Sequence, residues 1–174
     1  MSTAKSDALL SKKLTEHQYL ENEKVSEHKC EYVKGRVYAM AADSKNHDTI
    51  ATTVLRKFGN HLEDSNCRPY CPDLKIKTAA DHFRSSDGMV VCDDSEDDHF
   101  TETPVVIIEV LSKSTRLIDR GAKLLEYINV PSSQEYVMIE QDFVSIDVLR
   151  HSEGWILHNY TLGDEAHFQS IDLI

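Results

Sequence analysis

Two carboxylates carry the chemistry most visible in this sequence. Asp87 opens the apolar run DGMVVC. Glu109 interrupts TPVVIIEVLS, with Val105, Val106, Ile107 and Ile108 before it and Val110 and Leu111 after it. A carboxylate in so apolar a strand is costly to bury unless its charge is compensated. Divalent metal ions compensate such charge and also do chemistry. Two carboxylates on neighbouring strands, with a lysine nearby, suit metal-assisted phosphodiester hydrolysis. Lys123, in DRGAKLLEY, is the candidate lysine, and Lys75 is held in reserve. Simpler readings stand beside this one. Asp87 fits a strand start after a Ser-Ser turn. Glu109 fits a buried Glu–Lys pair. Lys123 stands four residues after Asp119, the spacing of an ordinary helix-surface pair.

The elements that must position these residues are readable from periodicity. LTEHQYLENE reads as a short helix with Thr15 as its N-cap. HKCEYVKGRVYAMAA alternates around Lys34-Gly35, which predicts a hairpin with strands near 28–33 and 36–41. Residues 46–64 put Ile50, Val54, Leu55, Phe58 and Leu62 on one helical face. CRPYCPDLKIKT reads as a turn leading into a strand, with Leu74 and Ile76 on one side and Lys75 and Lys77 on the other. The nearly continuous apolar run around Glu109 marks a central strand covered on both faces. Residues 119–129 read as a helix, with Asp119 near its start and Pro131 beyond its end. QEYVMIEQ, FVSIDVLRH and GWILHNYTL read as three closing strands. This order predicts an α/β fold with a mixed sheet flanked by helices.

Composition sets outer bounds. The 174 residues suit one domain, expected over 14–174, with residues 1–13 as a disordered leader. The N-terminus lacks a signal-peptide core, and no apolar run approaches the ~20 residues needed to span a bilayer. A cytoplasmic protein with no membrane partner is expected. Net charge is −11, from 19 Lys and Arg against 30 Asp and Glu. That excludes a broad basic surface but not a local basic groove. Asp93, Asp94, Glu96, Asp97 and Asp98 read as a solvated acidic loop. Cys30, Cys67, Cys71 and Cys92 are expected to be free thiols, given no secretory signal.

The ordered set EYVKGRVYAMA, His47, PDLKIKT, SSDGMVV, PVVIIEVLSKST, DRGAKLLEY and PSSQEYVMI resembles the Uma-two family of restriction-endonuclease-like proteins of the PD-(D/E)XK class. The resemblance covers about residues 15–160. It implies a restriction-endonuclease-like mixed sheet flanked by helices, with an N-terminal helix and hairpin. It also implies that Asp87 and Glu109 ligate Mg²⁺ or Mn²⁺, with Lys123 as the lysine displaced from the strand onto the following helix. Glu31 and His47 stand where the family commonly has a glutamate and a histidine, and join the catalytic set on that ground. Two departures are plain. Ser86 replaces the usual proline, and Leu111 occupies the position two residues after the glutamate where the basic motif has its lysine.

The resemblance implies a metal-dependent endonuclease acting on DNA. Ser86, Leu111 and the net charge fit the alternative, a catalytically idle binding or assembly module. A third reading is a metal-dependent hydrolase of a small phosphoester. Bland roles also exist for the remaining residues: His47 as a packing or capping residue at a helix start, Glu31 as the partner of a lysine across its hairpin. A homodimer is expected because the closing strands leave an edge that needs protection, with Phe143, Trp155 and Ile156 as interface candidates.

Overall fold

The computed structural model describes residues 13–26, 28–40, 43–93 and 97–174. The expected leader, apart from residue 13, and residues 94–96 of the acidic run lie outside the described residues. The chain begins with helix α1 (Glu16–Glu23). Thr15 and Gln18 close a reciprocal capping box there, so the orphan N–H groups of the first turn are satisfied. Strands β1 (Cys30–Val33) and β2 (Arg36–Ala39) form the expected antiparallel hairpin. Lys34 and Gly35, at its turn, both have positive φ, as a tight two-residue connection requires.

Helix α2 (Lys45–His61) follows, capped by the Ser44 side chain. The next strands are β3 (Arg68–Tyr70), β4 (Lys75–Ala79), β5 (His82–Arg84), β6 (Gly88–Val91), β7 (Phe100–Thr101) and β8 (Pro104–Leu111). After β8 the chain turns into α3 (Arg116–Ile118), a π-helical turn (Asp119–Lys123) and α4 (Leu124–Tyr127). Strands β9 (Glu135–Glu140), β10 (Ile146–Arg150) and β11 (Leu157–Tyr160) close the fold.

These strands make two sheets where the sequence predicts one. The larger has the order β11-β10-β9-β8-β6-β3, and the smaller has the order β2-β1-β5-β4-β7. Both are mixed: β8 runs parallel to β9, and β4 parallel to β7. The short strands β3, β5 and β7 escape sequence reading because two or three residues show no period.

The larger sheet is covered on both faces around β8, which explains its unbroken apolar run. Phe58 of α2 and Leu62, its C-cap, pack with Val90, Val106 and Ile108 on one face. Tyr127 packs with Met89, Val91, Ile107 and Leu111 on the other. A smaller cluster of Tyr19, Tyr32 and Phe83 fixes α1 against the smaller sheet. A Cβ built on Gly88 would stand 2.9 Å from Leu55 Cδ2, so the absence of a side chain at that position lets α2 approach β6.

One further expectation is corrected. Cys67 and Cys92 form a disulfide, while Cys30 and Cys71 are free. The β3–β6 register pairs Arg68 with Val91, which sets Cys67 opposite Cys92. That juxtaposition depends on a pairing that cysteine spacing does not encode. Among the described residues, no helix is long and apolar enough to cross a membrane.

Candidate active site

Asp87 lies immediately before β6, and Glu109 lies within the neighbouring β8. The β6–β8 register begins at Gly88 and Ile108, and the Asp87 N–H donates to the Ile108 carbonyl at 3.0 Å. Both residues are buried. Asp87 Oδ2 accepts the Val110 backbone N–H at 2.6 Å, which ties the carboxylate to the strand that carries Glu109. Ser86, which replaces the proline, donates its hydroxyl to the Gly88 carbonyl at 3.2 Å and braces the approach to the strand.

Lys123 reaches Glu109 from the π-helical turn. Its Nζ lies 3.0 Å from Glu109 Oε1, 3.0 Å from Glu31 Oε1 and 3.5 Å from Asp119 Oδ1. It also donates to the Ser85 carbonyl at 2.9 Å. Burial opposes the lysine's charge, but Glu109, Glu31 and Asp119 outweigh that effect and hold its pKa well above the ordinary value. Burial pushes the Glu109 carboxyl well above its usual range against the pull of Lys123, with Asp119 and Asp87 adding to the rise. Burial likewise raises the Asp119 carboxyl, against the pull of Lys123 and of Thr115.

Glu31 does not pair with a lysine across its hairpin. Its cross-hairpin neighbour is Tyr38, while Arg84 donates to its Oε2 at 2.9 Å and Ser85 N–H to its Oε1 at 3.2 Å. Glu126 accepts from the other side of Arg84, Nε to Oε2 at 2.7 Å. Thus Glu31 bridges the smaller sheet to Lys123. His47 caps nothing with its side chain. Its backbone N–H donates to Ser44 Oγ, and its Nε2 lies 3.1 Å from Asp87 Oδ2. Desolvation works against its charge, but the hydrogen bond and charge of Asp87 prevail and raise its pKa.

Lys75 is directed elsewhere. Its Nζ donates to Ser85 Oγ at 2.9 Å and pairs with Glu23 at 3.2 Å. Sequence reading also missed Tyr127, whose hydroxyl donates to Glu109 Oε1 at 3.0 Å, and Arg84. Tyr127 had a signal in its i+4 spacing from Lys123. Arg84, on a three-residue strand, had none.

The donor set fits a divalent cation. Glu109, Glu31 and Asp119 surround one lysine, Asp87 is held by Val110 and His47, and Arg84 is shared between Glu31 and Glu126. Asp87 Oδ1 and Glu109 Oε2 accept no hydrogen bond among the described residues, which leaves one oxygen on each carboxylate for a hard ion. The site is thus over-supplied with negative charge at the edge of a buried region.

With this geometry established, the likeness to known proteins is specific. The chain is 34% identical over 166 residues to the uncharacterized protein slr1290 of Synechocystis sp., covering 92% of this chain and 87% of that protein. It is 28% identical over 139 residues to the uncharacterized protein sll1609 of the same organism, covering 75% and 77%. The fold superposes on the crystal structure of a putative nuclease belonging to DUF820 from Anabaena variabilis, with TM-score 0.70, 16% identity and coverage of 84% and 85%. The profile of the Uma2 family, described as a putative restriction endonuclease, matches residues 16–171, and the chain belongs to that family.

Proposed function

We propose that this chain is a metal-dependent endonuclease that hydrolyses phosphodiester bonds in DNA. The observation that carries the reading is Lys123 Nζ at 3.0 Å from Glu109 Oε1, with Asp87 hydrogen-bonded to the backbone of the next residue, Val110. Membership of a family described as restriction endonucleases supports it. Asp87 and Glu109 would hold Mg²⁺ or Mn²⁺. Such an ion supplies charge stabilisation to the phosphate and a more acidic water.

The chain's own groups divide the remaining work. Lys123 stays protonated at neutral pH, so it donates hydrogen bonds and positive charge rather than removing a proton. Its place is to orient the nucleophilic water or to stabilise charge that develops on the phosphate. Tyr127 and Lys123 both hold Glu109 Oε1, so that Oε2 is the oxygen that would be offered to a metal. Glu31, anchored by Arg84 and Ser85, holds Lys123 in place from the other side. Asp87 is fixed by Val110, and His47 hydrogen-bonds it from α2.

An acidic chain needs a local attraction for DNA. A cleft of about 300 Å³ beside α1 is lined by Lys24, Lys29, Lys75, His28 and His99, together with Glu23 and Asp73. Lys75 connects this cleft to the site through Ser85. A homodimer in the cytoplasm belongs to the same proposal. Phe143 and Ile156 are exposed and Trp155 is half-buried, and light scattering that gives 19.8 kDa at micromolar concentration would overturn the dimer.

The test is cleavage of supercoiled and single-stranded DNA with Mg²⁺ or Mn²⁺, with EDTA controls. Metal-dependent nicking by the wild type and none by Glu109→Gln is the expected result. Equal cleavage by both proteins would assign the activity elsewhere. Neither cleavage nor Mn²⁺ binding would favour the idle binding module.

A further inference from the structure

The geometry points to a second divalent-cation site, formed by Asp43, His47 and Asp87 beside the Asp87–Glu109 pair. Each of the three residues can offer one ligand atom, and these atoms lie within 4.8 Å of one another. His47 Nε2 is 3.1 Å from Asp87 Oδ2. His47 Nδ1 is 3.7 Å from Asp43 Oδ1, too far for a hydrogen bond. Nδ1 is therefore a buried polar atom with no hydrogen-bond partner, on a side chain only 6% exposed.

A buried nitrogen left without a partner, with Asp43 on its side of the ring and Asp87 on the other, calls for a physical cause. A cation seated among these groups supplies one, because it takes an imidazole lone pair and carboxylate oxygens together. The backbone delivers the ligands from two directions. Asp43 precedes the Ser44 cap, and His47 sits in the first turn of α2, fixed by the Ser44 Oγ bond to its N–H. Asp87 arrives at the start of β6, held by Val110. Asp43 has a side chain 48% exposed, so an ion reaches the site from solvent without opening the core.

One imidazole and two carboxylates make a mixed nitrogen–oxygen set. Such a set favours Mn²⁺, Co²⁺ or Zn²⁺ over Mg²⁺, which prefers all-oxygen shells and retains its waters. The inference deepens the nuclease reading by sharing Asp87 with it, but binding at Asp43 and His47 requires no hydrolysis. It would place a second cation at the first turn of α2, so that the Asp87 carboxylate serves both ions.

The test is a Zn²⁺ titration of the full chain, followed by calorimetry and by the imidazole nitrogen resonances of His47, identified by their absence in His47→Gln. The wild type and Glu109→Gln should both show Zn²⁺-dependent shifts of the His47 nitrogens. Asp43→Asn, an exposed and conservative change, should weaken that response by at least about 10-fold. His47 nitrogens that stay at imidazolium positions throughout would overturn the site in favour of a charged histidine clamped between two aspartates. Equal affinity in wild type and Asp43→Asn would overturn it too. Ion binding lost in Glu109→Gln but kept in Asp43→Asn would sustain the nuclease site and sink this one. The reverse pattern would sustain this site alone.

Discussion

The Asp87 carboxylate accepts a 2.6 Å hydrogen bond from the backbone N–H of Val110, the residue after Glu109. One candidate ligand is thereby fastened to the strand that bears the other. Movement of β8 carries both, so their spacing resists local fluctuation better than either side chain would alone. The lysine beside Glu109 is set by a different element, and perturbations of the two parts should be separable.

Lys123→Ala tests the helix-borne part. It should lower the cleavage rate by about 10²–10³-fold, the range for loss of a charge-stabilising donor. Mn²⁺ affinity should change much less, because lysine is not a ligand. The substitution also leaves Glu109 and Asp119 without their cationic partner, while Glu31 keeps Arg84. Urea unfolding in EDTA should show a loss of about 3–5 kcal/mol. An unchanged midpoint would show that the cluster is far less coupled than its distances imply.

Asp119 makes stability depend on pH. Burial raises its folded pKa above the ordinary 3.8. The fold therefore favours its protonated form, and folding takes up a proton in the window above 3.8. Its contribution is fully present below that value and is lost as pH rises through the folded pKa. In metal-free protein, Asp119→Asn should flatten this slope and raise the melting temperature at neutral pH. A lower melting temperature for the variant at neutral pH would mean that the Lys123 attraction at 3.5 Å outweighs burial.

The Cys67–Cys92 disulfide closes a loop with a sequence separation of 25. Chain-entropy reasoning gives about 3 kcal/mol for a loop of this order, or roughly 6–12 °C in melting temperature for a chain of this size. Cys67→Ser should show this decrease, and added reductant should reproduce it in the wild type. The same melting curve with and without reductant would remove the bridge from the stability account.

Gly88→Ala places a methyl group 2.9 Å from Leu55 Cδ2 and 3.3 Å from Leu55 Cγ. Leu55 must give way, at a cost of about 1–3 kcal/mol. Because Gly88 follows Asp87, cleavage should fall as well. Adding Leu55→Val should recover part of both losses. Failure of that rescue would place the damage in the β6 backbone rather than in its packing against α2.

Much of this arrangement was legible before any coordinates. The helix over 45–61 announced itself by a regular apolar face, and β8 by an unbroken apolar run around one acid. Glu109 sits on the eight-residue β8, whereas Asp87 precedes a four-residue strand and Lys123 ends a five-residue π-helical turn, each beside a recognisable apolar run. What was not legible depended on short elements and on partners remote in sequence. Arg84 bonds Glu31 across 53 positions from a three-residue strand. Cys92 meets Cys67 only through the β3–β6 register. Asp43 belongs to its cluster only because α2 docks its first turn against Asp87. The second sheet was missed for the same reason, as three of its five strands have three residues or fewer or pair irregularly.

Leu111, at the position where the basic motif carries its lysine, is fully buried among Tyr127, Tyr136 and Met138. Transfer of the cation to the π-helical turn frees that strand position for packing. It also makes the chemistry depend on agreement between two independently varying segments. Drift in the loop at 112–115, or in the helix packing against Tyr136, could silence the protein while every candidate ligand remained unchanged. For the proposed nuclease, activity would therefore rest on the geometry of a helical segment as much as on the strand signature.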